Sequence, residues 1–296
     1  MDSVLALDVG GTKVAAGRVD ASGRILARAT RPTPTGLDSE AVLAALLEAA
    51  VEVRSGGEVA CGVGSGGPMA RGGETVSPLN IEAWQAFPLR RRLVDALALP
   101  VHIDNDAKAL ALGEGWRGAA RGVNDYLAMV VSTGVGGGIV LNGRLLDGAQ
   151  GNAGHIGHVV VEPAGRSCAC GSRGCLEAEA SGTAIAARLG RAAEEAPLEE
   201  RQRAGRMVGR AVGSVAALLD LRLTVVAGSV ALGFGADFFE AAQAELDRTA
   251  QISFARGAQI RPAGLGDEGP LVGAAAVAWR ALGHPVLGPG GDVAGH

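Results

Sequence analysis

H-I-G-H-V-V-V-E-P-A-G-R-S-C-A-C-G-S-R-G-C-L-E, residues 155–177, holds three of the four cysteines of this 296-residue chain. Cys168, Cys170 and Cys175 follow His158, and one imidazole with three thiolates is a donor set that Zn²⁺ prefers. Protein would fill all four positions, so such a site is closed and structural: it stiffens a loop and activates no water. Three unrelated cysteines in a glycine-rich loop is the alternative, but C-x-C-x4-C behind a histidine is a metal pattern. A metal here would fix its neighbours His155 and Glu177, which become candidate ligand contacts.

The chain has the size for two lobes. Apolar residues make up 48% and charged residues 20%, as expected of a globular protein. One Tyr and five Phe argue against a stacking platform for single-stranded nucleic acid. A net charge of −4, with Arg90-Arg91-Arg92 as a short solvated helix face, gives no electrostatic support for nucleic acid or a membrane surface. The first residues, M-D-S-V-L-A-L-D-V-G-G, lack the pattern of a secretory signal, and no apolar run approaches a membrane span. Cys61 stands alone, so no disulfide is indicated. A cytoplasmic protein is expected.

Upstream, residues 3–9 read as a buried strand that runs into Asp8-Val9-Gly10-Gly11-Thr12-Lys13 and at once into a second strand. Two glycines between strands leave backbone N–H groups bare for close approach to a phosphate, although a plain hairpin turn has the same look. Asp8 is placed to hold Mg²⁺, and Thr12 to donate to the phosphate. The spacing is not that of a Walker A loop. Residues 38–54 and L-R-R-R-L-V-D-A-L read as helices. Between them lie a strand at 59–64 and a loop at 64–88 with possible ligand contacts. V-H-I-D-N-D-A-K runs from a strand at 101–103 into a helix starting near Asp106. Asp104 or Asp106 is there as an N-cap, or Asp106 is a general base accepting a proton from an attacking hydroxyl.

A second strand–turn–strand has Ser132-Thr133-Gly134-Val135-Gly136-Gly137-Gly138 at its turn. Two such glycine-rich hairpins in two lobes could grip a polyphosphate from both sides. Beyond the cysteines, helices are expected at 176–189 and at 197–222, the latter broken softly by Gly205, Gly209 and Gly213. A strand ends at Gly228-Ser229, where a nucleoside could lie. Helices follow at 236–250 and 269–282, and residues 283–296 form a flexible tail.

In this order the pieces resemble the ROK family of sugar kinases and sugar-responsive repressors, over nearly the whole chain. D-V-G-G-T-K looks like its first phosphate motif, S-T-G-V-G-G-G its second, N-D-A its catalytic segment, and C-A-C-G-S-R-G-C-L-E its zinc motif. The resemblance implies an α/β, two-lobed actin-like ATPase (ribonuclease H-like) fold with a structural zinc loop. The smaller lobe would be 1–106 plus 269–282, and 107–268 the larger, with the interface of a homodimer. It implies Asp106 as catalytic base and Gly67, Asn80, Asn105, Asp106, His155, His158 and Glu177 as sugar contacts. Asp8, Gly10, Gly11, Thr12, Lys13, Thr133, Gly134 and Gly228 would line the Mg·ATP site. His158, Cys168, Cys170 and Cys175 would hold Zn²⁺. Lobe closure over the sugar would exclude water.

The family's usual sugar motif is E-x-G-H, and His155-Ile156-Gly157-His158 departs from it. A glutamate accepts from two hydroxyls, whereas a neutral imidazole accepts once and donates once. Bacterial N-acetylmannosamine kinases are similar in carrying His there, so the expected reaction is phosphorylation of the 6-hydroxyl of a hexose or N-acetylhexosamine, N-acetylmannosamine first. A glucokinase, a kinase of another amino-modified hexose and a sugar sensor without catalysis are the alternatives. A repressor of the family would carry a helix-turn-helix domain ahead of the first phosphate motif, which here begins at Asp8, and a polyphosphate-using kinase would want more cations.

Overall fold

Two β-sheets organise the chain, and the computed structural model describes residues 2–288 of it. The first compact unit takes in the described residues up to Asn124, then Gly143–Ala153, and those from Gly264 onward; the second takes in Asp125–Asn142 and Gly154–Ala263.

In the first unit β1 (Ser3–Val9), β2 (Lys13–Asp20), β3 (Ile25–Pro32), β4 (Glu58–Ser65) and β5 (Val101–Asn105) form a sheet ordered β3-β2-β1-β4-β5. β1 pairs antiparallel with β2, and β1, β4 and β5 run parallel, with Asp8 beside Gly64 and Gly64 beside Asp104. α1 (Ser39–Val53) starts where the Asp38 side chain accepts the N–H groups of Glu40 and Ala41. Its Val42, Leu43, Leu46, Ala49, Ala50 and Val53 repeat at helical spacing and are buried against the sheet with Leu5, Leu7 and Val63. α2 (Leu89–Leu97) buries Leu89, Leu93 and Leu97.

α3 (Asp106–Arg117) belongs to this unit, as do the two-residue β8 (Arg144–Leu145) and α9 (Gly269–Ala281). Residues 107–124, 143–153 and 264–268, expected in the larger lobe, therefore group with the smaller. The reason is close helix contact. A methyl group at Gly113 would sit 3.0 Å from the backbone nitrogen of Gly273, and one at Gly273 would sit 2.6 Å from the carbonyl oxygen of Ala109. The fully buried Glu114 accepts the N–H groups of Ala119, Gly264 and Leu265, closing the junction. Residues 283–288 lie against α9: the His284 ring meets Trp279 edge-on at 4.5 Å and Val286 is buried. The rest of the expected tail, 289–296, lies outside the described residues.

The second unit carries β6 (Tyr126–Val131), β7 (Val135–Leu141), β9 (Leu223–Ala227) and β10 (Gln259–Pro262), with strand neighbours β10-β9-β6-β7. β6 and β7 form an antiparallel hairpin; β6, β9 and β10 are parallel. The helix expected over 176–189 is two: α4 (Leu176–Ala180) and α5 (Gly182–Leu189). Ser181 between them is extended, and its hydroxyl caps α5 by accepting the Ala184 N–H. α6 (Leu198–Leu219) runs unbroken through Gly205, Gly209 and Gly213. Those glycines serve packing: methyl groups there would overlap the carbonyl oxygens of Phe238 and Ala242 and the Thr249 hydroxyl of α8 (Ala236–Thr249). The core of this unit joins Leu127, Met129, Leu176, Val208, Val212, Phe238 and Leu246. Among the described residues no helix is long and apolar enough to cross a membrane.

Candidate active site

In the first unit the candidate residues gather at the carboxyl ends of the parallel strands, where α/β sheets bind ligands. The β1–β2 turn closes with the Gly10 N–H donating to the Lys13 carbonyl at 3.1 Å. Thr33 holds the turn from behind: its hydroxyl donates to the Gly10 carbonyl at 2.6 Å, and its N–H donates to the Thr12 carbonyl at 3.0 Å. Thr12 and Lys13 are exposed. Asn80 packs on Gly11, where a methyl group would meet its Cβ at 2.8 Å, and its Oδ1 lies 3.4 Å from the corresponding point on Gly66. Asn80 thus touches both the hairpin and the turn that carries Gly67.

Asp8 and Asp106 flank Gly64. A methyl there would lie 3.7 Å from both the Asp8 Oδ1 and the Asp106 Cα, so the two aspartates are neighbours on either side of this glycine. Burial, then the charge of Asp106, push the Asp8 carboxyl up to about 7, against the opposing pull of Lys13. Asn105 is the N-cap of α3, its Oδ1 accepting the Ala107 N–H at 3.1 Å. Asp106 is the first helical residue, and its carboxylate accepts the same N–H at 2.8 Å. Neither Asp104 nor Asp106 is the cap. Asp104 instead pairs with Lys108 Nζ at 3.1 Å, and Lys108 also reaches Asp147 at 2.8 Å and the Gly151 carbonyl at 3.3 Å. Burial raises the Asp104 carboxyl and Lys108 opposes the rise. Lys108 and Thr33 were not legible beforehand; a lysine amid the apolar positions of A-K-A-L-A-L is the one signal.

In the second unit the β6–β7 turn is held on its carbonyl side. Gly182 N–H donates to the Ser132 carbonyl at 2.7 Å, and the Thr183 hydroxyl to the Thr133 carbonyl at 3.0 Å. The Ser132 and Ser229 hydroxyls are 2.9 Å apart. Gly228 has φ of 101°, and a methyl on it would overlap the Val131 carbonyl, so glycine is required there on both counts. The segment carrying His155 and His158 lies flat on β7: methyl groups at Gly154 and Gly157 would overlap the carbonyls of Gly137 and Val135. The two imidazoles stack with centroids 6.1 Å apart, His155 being exposed. Glu177 Oε2 accepts the Val135 N–H at 2.9 Å.

His158, Cys168, Cys170 and Cys175 present ligand atoms all within 4.8 Å of one another. The His158 Nδ1 is 3.8 Å from the Cys168 Sγ, and the Cys170 and Cys175 sulfurs are 3.7 Å apart. Four donors about one zinc ion stand roughly 3.3–3.8 Å apart, so these two pairs already have that spacing and the four together could close on one ion. Burial, with hydrogen bonds from Cys168 and Cys170, pushes the Cys175 thiol up to about 11, a cost that a cation would remove. Three of the four cysteines are in this cluster, and Cys61 is a free, buried thiol.

A two-sheet α/β fold with paired glycine hairpins, an aspartate at a helix start and a Cys₃His cluster defines a class of protein. The chain belongs to the ROK family, whose sequence profile matches residues 4–281. It is 38% identical over 249 residues to an N-acetylmannosamine kinase of Citrobacter koseri, covering 79% of this chain and 85% of that one. It is 43% identical over 185 residues to a glucokinase of Thermotoga maritima, covering 62% of this chain but only 58% of the glucokinase. The crystal structure of a ROK family glucokinase from Streptomyces griseus, in complex with glucose and AMPPNP, superimposes with a TM-score of 0.79 at 30% identity. That match covers 92% of this chain and 98% of the other.

Proposed function

We propose that the chain is an ATP-dependent sugar kinase that transfers the γ-phosphate of Mg·ATP to the 6-hydroxyl of a hexose or N-acetylhexosamine. The observation that carries it is the pairing of Asp8 and Asp106 about Gly64 at the strand ends, beside a glycine hairpin. Asp106 accepts the proton of the attacking hydroxyl, an assistance worth about 10²–10⁴-fold. Its place at the start of α3 sets it against the positive end of that helix. Asp8 is the residue for Mg²⁺, which neutralises charge on the phosphates when bound. The amides of Gly10, Gly11 and Gly134, the Thr12 and Thr133 hydroxyls, Lys13 and Gly228 orient the nucleotide. Transfer of this kind asks mainly for positioning and charge stabilisation.

Gly67, Asn80 and Asn105 in the first unit and His155, His158 and Glu177 in the second are the sugar contacts of this reading. His158 turns Nδ1 toward the cysteines, so its Nε2 is the atom for a hydroxyl. Zn²⁺ at the cluster is structural, and it orders the loop between His158 and Glu177.

N-acetylmannosamine is the first choice of sugar, on the donor-and-acceptor character of His155 and on the named Citrobacter koseri relative. Glucose is the second, on the Thermotoga maritima relative and the glucose-bound neighbour. A cytoplasmic homodimer formed through the second unit completes the proposal. A coupled ADP-release assay with Mg·ATP decides the chemistry, run against N-acetylmannosamine, glucose, mannose, N-acetylglucosamine, glucosamine and kanosamine. Turnover of one sugar, lost in Asp106→Asn with the melting temperature kept, is the expected result. Silence of zinc-loaded protein across the panel would sink the hexose-kinase reading.

A further inference from the structure

Glu177 touches more than a sugar would require. Its Oε2 accepts the backbone N–H of Val135, the residue directly after Ser132-Thr133-Gly134. A methyl group at Gly134 would lie 2.9 Å from that same oxygen, so glycine at 134 is what lets the carboxylate reach under the turn. Glu177 is itself rigidly placed. It sits on the five-residue α4, whose N-cap is Cys175 of the zinc cluster and whose Leu176 N–H donates to the Val159 carbonyl at 2.9 Å. Two residues on, the buried Glu179 accepts the Arg166 N–H from the cysteine loop and pairs with Arg203 and Arg188. The opposite side of the turn is held by Gly182 and Thr183.

We infer that Glu177 is a positioning residue for the nucleotide-phosphate turn, joining the zinc loop to Ser132–Gly134 through the Val135 N–H. The inference rests on the proposed assignment of that turn to nucleotide phosphates. Two physical effects of Glu177 oppose each other. A carboxylate beside an anion-binding turn repels phosphate, so by charge alone its removal strengthens nucleotide binding. As an anchor it orders the turn, so its removal weakens binding. The anchor effect is the larger, because a hydrogen bond to a charged acceptor is also what fixes the backbone geometry.

Calorimetric titration with Mg·ADP, without sugar, reads this directly in the zinc-loaded full chain. Glu177→Ala should bind about tenfold more weakly than wild type, the worth of one charge-assisted hydrogen bond. Glu177→Gln retains an acceptor without the charge and should bind at least as tightly as wild type. Glu177→Asp retains the charge but loses reach, and should weaken binding like the alanine variant. Zinc content and melting temperature, measured for each variant, separate this from misfolding, and the Asp–Gln contrast stands even where the alanine variant is unstable. Wild-type affinity in both the alanine and aspartate variants overturns the inference and leaves the kinase reading intact. Absence of Mg·ADP binding by wild type overturns both.

Discussion

The charge of Asp106 helps to keep a proton on Asp8 across the bare Gly64, and burial of Asp8 does the larger share. The folded chain holds this proton up to about pH 7, whereas the unfolded chain releases it near the ordinary value of 3.8. Stability from this group is therefore full below the lower value and is lost as pH rises through the upper one. In metal-free buffer the melting temperature of wild type should fall more steeply between about pH 4 and pH 7 than that of Asp8→Asn, by a few degrees. Parallel pH profiles for the two proteins would remove Asp8 from this account. Asp8→Asn should also lose most of the turnover assigned to the Mg·ATP site.

Lys108 is a buried cation with three acceptors, its side chain 3% exposed. Lys108→Met leaves the half-buried Asp104 without its counter-charge, while the 57% exposed Asp147 rehydrates. The expected loss is about 2–3 kcal/mol, below the range for a fully buried pair. Adding Asp104→Asn should restore part of it. Urea denaturation of the single and double variants measures the coupling, and additive losses would contradict it.

Metal removal bears on the second unit alone. A strong chelator should release about one zinc per chain, read by a chromogenic indicator, with a fall in melting temperature. Cys175→Ser should be more damaging than Cys170→Ser, because Cys175 is buried while Cys170 is exposed. Equal effects would argue against burial as what separates the two ligands.

Gly209 offers a test of packing against propensity. Alanine gains about 1 kcal/mol over glycine within a helix. At 209 the added methyl overlaps the Ala242 carbonyl of α8 and crowds the Glu245 Cβ at 2.8 Å. Overpacking of this kind costs about 1–3 kcal/mol. Gly209→Ala should therefore be destabilised in chemical denaturation; a gain in stability would restore the reading of these glycines as soft breaks.

Much of the molecule is legible in its sequence. The strand 3–9, the helix 38–54 and the glycine hairpins depend on residues adjacent in the chain, through capping, apolar spacing and bare backbone. The Cys₃His cluster was legible because its four donors fall within 18 residues, close enough for the pattern to imply a shared centre. The break at Ser181 was missed because a serine amid helix formers gives no strong stop, and the capping hydrogen bond to Ala184 tips the balance.

What the sequence determined by itself was therefore local: which segments are strands and helices, where glycine-rich turns lie, and which residues cluster as donors that could hold a metal. Tertiary structure alone decided which distant groups meet. Thr33 under the Gly10 turn, Lys108 on Asp147, Glu177 on Val135 and α3 on α9 are contacts between chain-distant residues. Their partners are set by sheet order and by which glycines let two backbones touch. No periodicity records such a contact, because its energy comes from surfaces that become neighbours only after the core has formed.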